Sequence, residues 1–445
     1  MRRQMSWGLA LLLALVVLSG CSGDGKEASS ASHSTSVSSS VSENAATVST
    51  ASTSPAETTG SVWETSATSH ETTGSGTAPS TSSTTTTSIV PTSTTETLPP
   101  LSLVQTPTSQ TAAVFGRTVM KDGRLRLEWS GSGFAVRVTR TQAKIFLNAA
   151  VEKDAQAPYV RVWVDGKEGE TTAVSGTVSI QLHLGAGEHL IQLVRLSEVL
   201  TVAPIHVVSL QVYGDRQTPP DLLSPPMLPQ RRIEFIGDSI TCGFGVTGQP
   251  YAVTGKPGRF LTEEEDVTKT YAGITAAYFG ADARYIASSG RGVCHNNIVG
   301  EGDDLLIPQL FDLDSPEENT KWDFSLWQPQ VVVINAGTND YRGKTTPEEM
   351  RTGVKAFLEQ VRRAYPNAEI IWMYGMMNRN LEEPLIQGIE KYNDVYGEKV
   401  HYLPVTTISG VSEQGALSHP NAAAQRDRAK PLQELITQLT GWKPA

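Results

Sequence analysis

The sequence RRIEFIGDSITCGFGV, residues 231–246, contains a short apolar strand that ends in a Gly-Asp-Ser turn. Further apolar runs of strand length follow, with helical periods between them: strands at 331–335, 369–374 and 400–404, helices at 347–365 and 421–439. Strands that alternate with helices are typical of a parallel sheet covered by helices. Residues 231–442 are therefore predicted to form an α/β domain.

Polar segments follow the predicted strands of this domain. They are GDSIT at 237–241, SSGRG at 288–292, GTND at 337–340 and HPN at 419–421. In open parallel sheets, ligands bind outside the carboxyl ends of the strands. Each segment alone is common in turns, but all of them fall on one edge of the predicted sheet. This edge is therefore the candidate functional site.

The segment 112–220 has a different period. Leu125, Leu127 and Trp129 alternate with polar residues, and the same alternation recurs in short runs separated by Gly turns. Such a pattern is typical of a β-sandwich or jelly roll. The sandwich contains no charged cluster that suggests catalysis, and a Pro-rich connector at 221–230 joins it to the α/β domain.

The N-terminal region is predicted to be a leader and a tether. Residues 1–21 have a charged start and a short apolar run, and they end in Leu18-Ser19-Gly20-Cys21, which resembles a bacterial lipobox. Residues 22–111 are rich in Ser and Thr and hold too few apolar residues to fold. We therefore expect a lipid anchor at Cys21 that places the protein on the extracellular face of a bacterial membrane; a plain secreted protein with a chance Cys is the alternative.

Composition excludes several classes of function. The chain of 445 residues has a net charge of −10 and no basic stripe, which disfavours nucleic-acid binding. Three Cys are too few for a disulfide-rich scaffold or a four-Cys zinc site. The sequence also lacks a His-Glu-x-x-His run and a Gly-rich phosphate loop, so no metal and no organic cofactor is expected.

The four polar segments resemble the sequence blocks of the SGNH (GDSL-type) hydrolases. The order of jelly roll, Pro connector and "RRIEFIGDSITCGFGV", together with "WSGSGFAVRVT" at 129–139, "VDG" at 164–166 and "SGRGV" at 289–293, is similar to carbohydrate esterase family two, the acetyl xylan esterase-like group. The resemblance covers about residues 113–440. It implies a flavodoxin-like α/β/α SGNH domain after the jelly roll.

The resemblance assigns Ser239 as the nucleophile and His419 as the base. A serine hydroxyl is a weak nucleophile that needs a base within hydrogen-bond reach. The α/β domain also contains His401, which lies in a strand-like run, and His295, which stays an alternative base.

An oxyanion hole would be formed by the main-chain N–H groups of Ser239 and Gly290 and the side-chain amide of Asn339. A role for Asn339 as a turn-capping residue is the alternative.

The block around His419 departs from the family pattern. The family usually has an acidic residue two or three positions before the His, but Leu417 and Ala416 occupy these positions. In a triad, this acid holds the imidazole in the correct tautomer. We expect a backbone carbonyl from about 413–418 to take its place, giving a Ser–His dyad; the competing hypothesis is that Glu413 or a more distant acid does so.

The function implied is that of a serine esterase. It would remove O-acetyl groups from a polysaccharide such as xylan or glucomannan through an acetyl-enzyme intermediate. Two alternatives remain open at this point: deacetylation of the cell's own surface glycans, and a non-catalytic surface protein that binds carbohydrate.

Cys242 and Cys294 follow the first two blocks of the α/β domain. In a flavodoxin-like sheet these blocks lie next to each other, and an oxidising compartment favours disulfides. We therefore predict a possible Cys242–Cys294 disulfide, with two buried thiols as the alternative.

Overall fold

The computed structural model describes residues 101–445 except 109, 140–141, 154, 215–220, 257–258, 260, 298–304 and 398–399. The predicted leader, the lipidation site Cys21 and the predicted tether up to residue 100 lie outside the described residues. Within the described part, no helix is both long enough and apolar enough to cross a lipid bilayer.

The N-terminal part of the described chain is an antiparallel β-sandwich, as predicted. Its strands are β1 Leu101–Gln105, β2 Ala113–Phe115, β3 Thr118–Lys121, β4 Arg124–Leu127, β5 Gly133–Thr139, β6 Gln142–Ala149, β7 Tyr159–Val164, β8 Lys167–Ala173, β9 Gly176–His183, β10 Glu188–Arg195, β11 Ile205–Gly214 and β12 Asp221–Leu222. One sheet has the order β3-β4-β11-β6-β9 and the other has the order β12-β5-β10-β7-β8. Inward-facing side chains of both sheets, such as Leu127, Val136 and Ile145, share one buried core.

The sandwich extends further in both directions than its predicted limits of 112 and 220. β1 lies in the segment that was predicted to be tether, yet it pairs along its whole length with β11, where Leu103 faces Val212. β12 lies at the start of the predicted connector and pairs with β5. The tether prediction was wrong for residues 101–105, because LSLVQ is apolar enough to add a strand to a sheet that only the folded domain provides.

The C-terminal part is a three-layer α/β/α domain. Its strands are β13 Arg232–Gly237, β14 Asp282–Ala287, β15 Leu313–Ser315, β16 Thr320–Lys321, β17 Val331–Asn335, β18 Glu369–Tyr374 and β19 His401–Pro404. Its helices are α1 Ser239–Cys242, α2 Tyr251–Thr254, α3 Tyr271–Phe279, α4 Ile307–Phe311, α5 Thr338–Arg342, α6 Pro347–Ala364, α7 Glu382–Tyr396 and α8 Ala422–Thr440. The parallel sheet has the order β14-β13-β17-β18-β19, which is the flavodoxin-like arrangement that was predicted.

Helices cover both faces of this sheet. One face packs against α6 and α7 through residues such as Met350, Phe357 and Leu385. The other packs against α3 and α8 through residues such as Tyr271 and Leu432. The sheet is thus buried on both sides, which explains why its strands are continuous apolar runs.

The strand register brings the candidate site together. Gly237 at the end of β13 pairs with Ala287 at the end of β14 and with Asn335 at the end of β17. The polar segments that follow these strands therefore start side by side at one edge. The loop between β19 and α8 adds His419 to the same edge, where the ring meets Ser239.

Candidate active site

Ser239 is the first residue of α1, directly after the turn that ends β13. Asp238 caps this helix: its side chain accepts a hydrogen bond from the N–H of Ile240 at 3.0 Å. A sharp strand-to-helix turn leaves no room for a Cβ at Gly237, because a Cβ there would lie 2.7 Å from the carbonyl oxygen of Asn335. The turn presents the Ser239 hydroxyl at the sheet edge.

His419 contacts the Ser239 hydroxyl. Its Nε2 lies 2.8 Å from Ser239 Oγ, and its Nδ1 lies 3.2 Å from the carbonyl oxygen of Leu417. A carbonyl can only accept, so Nδ1 carries the proton and Nε2 is free to accept from the serine hydroxyl. The Phe244 ring packs against the imidazole, with the two ring centroids 4.5 Å apart.

The protonation state of His419 suits a base. Burial of the ring lowers its pKa to about 4, and the positive charge of Arg342 acts in the same direction. The carbonyl groups of Leu417 and Ala416 oppose this shift but do not cancel it. At neutral pH the imidazole is therefore uncharged and able to accept a proton.

The chain just before His419 folds back onto the ring. Leu417 and Ser418 have φ angles of 49° and 59°, a left-handed conformation that is costly for residues with a side chain. This turn places the Leu417 carbonyl beside Nδ1. The acceptor therefore lies inside the range 413–418 in which a backbone carbonyl was expected.

Glu413 does not contact His419. Its carboxylate accepts hydrogen bonds from Arg428 Nη1 at 2.5 Å and from the N–H of Ser409 at 2.6 Å. Arg428 holds the pKa of Glu413 down at about 2, so this carboxylate is an ion-pair partner at all working pH values. The hypothesis that Glu413 supports the imidazole is therefore wrong for this structure.

The predicted oxyanion donors follow three neighbouring strands at the same edge of the sheet. Gly290 has a φ of 77°, which favours glycine, and it lies in the turn that follows β14. The amide nitrogen of Asn339 lies 3.2 Å from Asp238 Oδ2 and 2.9 Å from the carbonyl oxygen of Arg291. Both amide protons thus face protein acceptors in this state, so donation to an oxyanion requires one of these bonds to be shared. The oxyanion roles stay predictions.

Two buried aspartates organise these segments, and neither was assigned a role from the sequence. Asp340 accepts hydrogen bonds from the N–H groups of Val293, Cys294 and His295 at 2.9, 2.7 and 3.2 Å. Asp238 accepts from the Asn339 amide, and burial raises its pKa to about 7. The available signal was their position, because each directly adjoins a candidate residue in its block.

The other histidines of the domain are engaged away from Ser239. His295, the alternative base, lies on the surface with Nε2 3.4 Å from Glu349 Oε1. His401 Nε2 lies 3.5 Å from Glu369 Oε2 on the neighbouring strand. Of the three candidates, the structure brings His419 to the serine.

The predicted Cys242–Cys294 disulfide is wrong, since both cysteines are free. Cys242 is buried, and its Sγ donates to Glu198 Oε2 at 3.1 Å. Cys294 Sγ instead donates to the carbonyl oxygen of Glu349 at 3.3 Å. The two cysteines follow the neighbouring strands β13 and β14. Their side chains nevertheless point to different parts of the fold, Cys242 to Glu198 and Cys294 to α6.

The described residues contain no group of three or more His, Cys, Asp or Glu side chains that could hold a metal ion. The reactive groups at this edge of the sheet are a hydroxyl, a neutral imidazole and nearby hydrogen-bond donors. Such a set can carry out acyl transfer through a serine nucleophile.

Comparison with known families agrees with this chemistry. Residues 235–433 match the GDSL-like Lipase/Acylhydrolase family, and residues 114–219 match the carbohydrate esterase 2 N-terminal family. The two matches follow the same order as the two folded domains.

Curated relatives and solved structures show the same likeness. The Cellulase/esterase CelE of Acetivibrio thermocellus is 30% identical over 326 residues, which cover 71% of this chain but 38% of that relative. An acetylxylan esterase / glucomannan deacetylase of Cellvibrio japonicus is 23% identical over 340 residues, which cover 74% of this chain and 89% of the relative. The structure of a family two carbohydrate esterase from Clostridium thermocellum, in complex with cellohexaose, has a TM-score of 0.66 at 28% identity and covers 74% of this chain and 99% of its own. In its two domains and its serine–histidine site, the chain is similar to carbohydrate esterase family two of the GDSL-like (SGNH) hydrolases.

Proposed function

We propose that the protein is a serine esterase that removes O-acetyl groups from a polysaccharide such as xylan or glucomannan. The observation that carries the proposal is the 2.8 Å contact between Ser239 Oγ and His419 Nε2, with Nδ1 held by a carbonyl. The polysaccharide class is supported by the relatives, which include acetylxylan esterases / glucomannan deacetylases.

The residues in hand perform the reaction in two half-reactions. Ser239 Oγ attacks the acetyl carbonyl carbon while its proton passes to His419 Nε2. The tetrahedral oxyanion is stabilised by the N–H groups of Ser239 and Gly290 and by the Asn339 amide. Collapse breaks the ester C–O bond, the sugar hydroxyl leaves with the proton from His419, and acetyl-Ser239 remains.

In the second half-reaction, water takes the place of the sugar. His419 accepts a proton from this water, whose oxygen attacks the acetyl-serine carbonyl. The second tetrahedral intermediate collapses, Ser239 Oγ regains the proton from His419, and acetic acid leaves and loses its proton to water as acetate. The half-buried neutral imidazole returns to its starting state, so the same residue acts as base and acid in each half-reaction.

The test is acetate release from an aryl acetate and from acetylated xylan and glucomannan, with Ser239→Ala as the matched blank. Loss of the nucleophile of such a site can reduce the rate by about a million-fold. We expect the variant to melt as the wild type does and to have no detectable activity. Retention of even about a tenth of the wild-type rate would assign the nucleophile elsewhere.

We also propose that Cys21 anchors the protein by a lipid to the extracellular face of a bacterial membrane. The support is the sequence Leu18-Ser19-Gly20-Cys21 after a short apolar run. A polar tether would then separate the enzyme from the membrane. The test is detergent-phase partitioning of the protein expressed in bacteria: the wild type should enter the detergent phase, and Cys21→Ala should stay in the aqueous phase. An unchanged distribution would reject the anchor.

A further inference from the structure

A carboxylate of the sandwich domain reaches the active-site segments of the α/β domain. Glu198 lies in the segment that joins β10 to β11, and its side chain is completely buried, with 0% exposure. A buried carboxylate is costly unless it is well paired. Its hydrogen bonds therefore indicate what holds it there.

One oxygen of Glu198 binds both segments that flank the predicted oxyanion hole. Oε2 accepts the N–H of Ser289 at 2.6 Å and the thiol of Cys242 at 3.1 Å. Ser289 directly precedes Gly290, and Cys242 is the last residue of the short helix α1 that Ser239 begins. A single oxygen atom thus ties the turn of Gly290 to the helix of the nucleophile.

The position of Glu198 is itself fixed. Its Oε1 accepts the hydroxyl of Thr201 at 2.9 Å, and its main-chain N–H donates to Glu265 Oε2 at 2.9 Å. The buried guanidinium of Arg195 shapes the surrounding segment by donating to main-chain carbonyls of Ser197, Glu198, Ala203 and Leu127. The carboxylate is therefore presented by a rigid segment rather than by a free side chain.

The charges in this cluster favour the same arrangement. Burial, with Glu198 as a neighbour, raises the pKa of Glu265 well above its usual range. Burial and both carboxyl groups also raise the pKa of Cys242, which keeps its thiol as a hydrogen-bond donor. Glu198 Oε2 accepts from the Ser289 N–H and the Cys242 thiol, and the Arg195 guanidinium donates to the Glu198 main-chain carbonyl close by.

We propose that Glu198 is a positioning residue for the esterase: it holds the Ser289–Gly290 turn against α1, so that the Gly290 N–H is aimed at the oxyanion. The inference rests on the proposed function of Ser239 and His419. Oxyanion donors act by being preorganised, and loss of one costs about 10²–10³-fold in kcat. A displaced turn weakens such a donor without removing the substrate-binding surface, so the effect should fall on kcat rather than on KM.

The test compares three substitutions in the purified full chain. Glu198→Ala removes the acceptor, Glu198→Asp retracts it by one C–C bond of about 1.5 Å, and Glu198→Gln keeps an oxygen acceptor without the charge. With an aryl acetate, we expect kcat to fall by about 10–100-fold for Ala, with KM changed by less than about three-fold. The kcat of Glu198→Asp should lie between those of Glu198→Ala and the wild type. The kcat of Glu198→Gln should be within about three-fold of the wild-type value.

Hydrogen exchange of the amides at 288–291 provides a readout that does not depend on activity. Exchange should be faster in Glu198→Ala and Glu198→Asp than in the wild type and Glu198→Gln, because the Ser289 N–H has lost its acceptor. If Glu198→Ala does not fold, kcat and amide exchange are compared between Glu198→Asp and Glu198→Gln, and this comparison tests the proposal. Wild-type kcat and exchange in the Ala or Asp variant would overturn the proposal, and so would a Gln variant as slow as Ala.

Glu128→Ala is the matched control. Glu128 is another buried carboxylate of the sandwich, with 3% exposure, and it accepts the hydroxyl of Ser315 in the α/β domain at 2.6 Å. This variant should melt at a lower temperature but keep kcat within about three-fold. An equal loss of kcat would mean that any loosening between the domains slows the enzyme, which would overturn a specific role for Glu198.

Failure of the proposed esterase function can be distinguished from failure of the proposal for Glu198. If the wild type releases no acetate, the esterase assignment is wrong; if Ser239→Ala retains about a tenth of the wild-type rate or more, the nucleophile lies elsewhere. In either case, amide exchange alone decides whether Glu198 positions the turn.

Discussion

At the scale of single residues, the tautomer, the ring orientation and the pKa of His419 are set by its surroundings rather than by a partner acid. The Leu417 carbonyl fixes the proton on Nδ1, and the Phe244 ring limits rotation of the imidazole. A carbonyl does not supply the negative charge with which a triad carboxylate stabilises the imidazolium. Burial therefore lowers the pKa of His419 instead of a carboxylate raising it.

This pKa predicts an unusually acid-tolerant rate profile. The imidazole accepts the serine proton only in its neutral form, and its pKa is lowered from 6.5 to about 4. As pH falls, kcat/KM for an aryl acetate should therefore decline with a midpoint near 4 rather than near 6.5. The measurement is a pH–rate profile, with the melting temperature followed at each pH to separate titration from unfolding.

Asp238 is the group that could imitate this titration, because burial raises its pKa to about 7. The control is Asp238→Asn, since Asn is as good a helix cap as Asp. An inflection near pH 7 that disappears in this variant belongs to Asp238. An inflection near 6.5 that persists in the variant would contradict the lowered pKa of His419.

At the scale of elements, the loop between β19 and α8 holds His419 through its main chain. Asn421 caps α8 by accepting the N–H of Ala424, and its side-chain amide donates to the carbonyl groups of Ser412 and Gln414. The N–H of Gly415 donates to the carbonyl oxygen of His419 at 2.7 Å. These bonds maintain the left-handed turn that brings the Leu417 carbonyl to the ring.

This arrangement predicts that Glu413→Gln has little effect on the chemical step. Gln keeps one oxygen that can accept from either Ser409 or Arg428, and the carbonyl beside Nδ1 is unchanged. The turnover of an aryl acetate should stay within a few-fold of the wild type, whereas His419→Ala should be nearly inactive. A fall of about 10⁴-fold in Glu413→Gln, the scale of a lost triad carboxylate, would contradict the dyad.

At the scale of the whole molecule, the sandwich and the α/β domain share a buried polar interface. Arg117 of the sandwich has 1% exposure, pairs with Glu234 on β13 at 3.1 Å and donates to the carbonyl oxygens of Phe311 and Leu313. Arg161 of the sandwich pairs in the same way with Asp266 at 2.7 Å. The described residues of both domains accordingly belong to one compact unit.

The interface predicts that both domains unfold together. Removal of one partner of a buried ion pair costs about 3–5 kcal/mol, because the other charge stays buried and unpaired. Calorimetry of Arg117→Met should show one transition, lowered by roughly 5–15 °C. The double variant Arg117→Met/Glu234→Leu should recover much of this loss. Two separate transitions in the wild type would contradict the coupling, and kcat should stay near the wild-type value throughout.

The sequence by itself determined the local structure and the identity of the serine and histidine that meet in the site. Strand and helix periods depend on residues two to four positions apart, so the α/β domain and the sandwich could be read directly from the chain. The order of the polar segments after β13, β14 and β17 was enough to place Ser239, Gly290 and Asn339 at one edge, and the start of α8 pointed to His419.

The tertiary structure alone decided which groups surround these residues. β1 needs β11, more than one hundred residues away, before its backbone can pair. Cys242 turns to Glu198 and Cys294 turns to α6, although both follow neighbouring strands. Glu198 meets Ser289 only when the sandwich is folded against the α/β domain. Such contacts join distant parts of the chain and depend on side-chain direction, which periodicity does not encode.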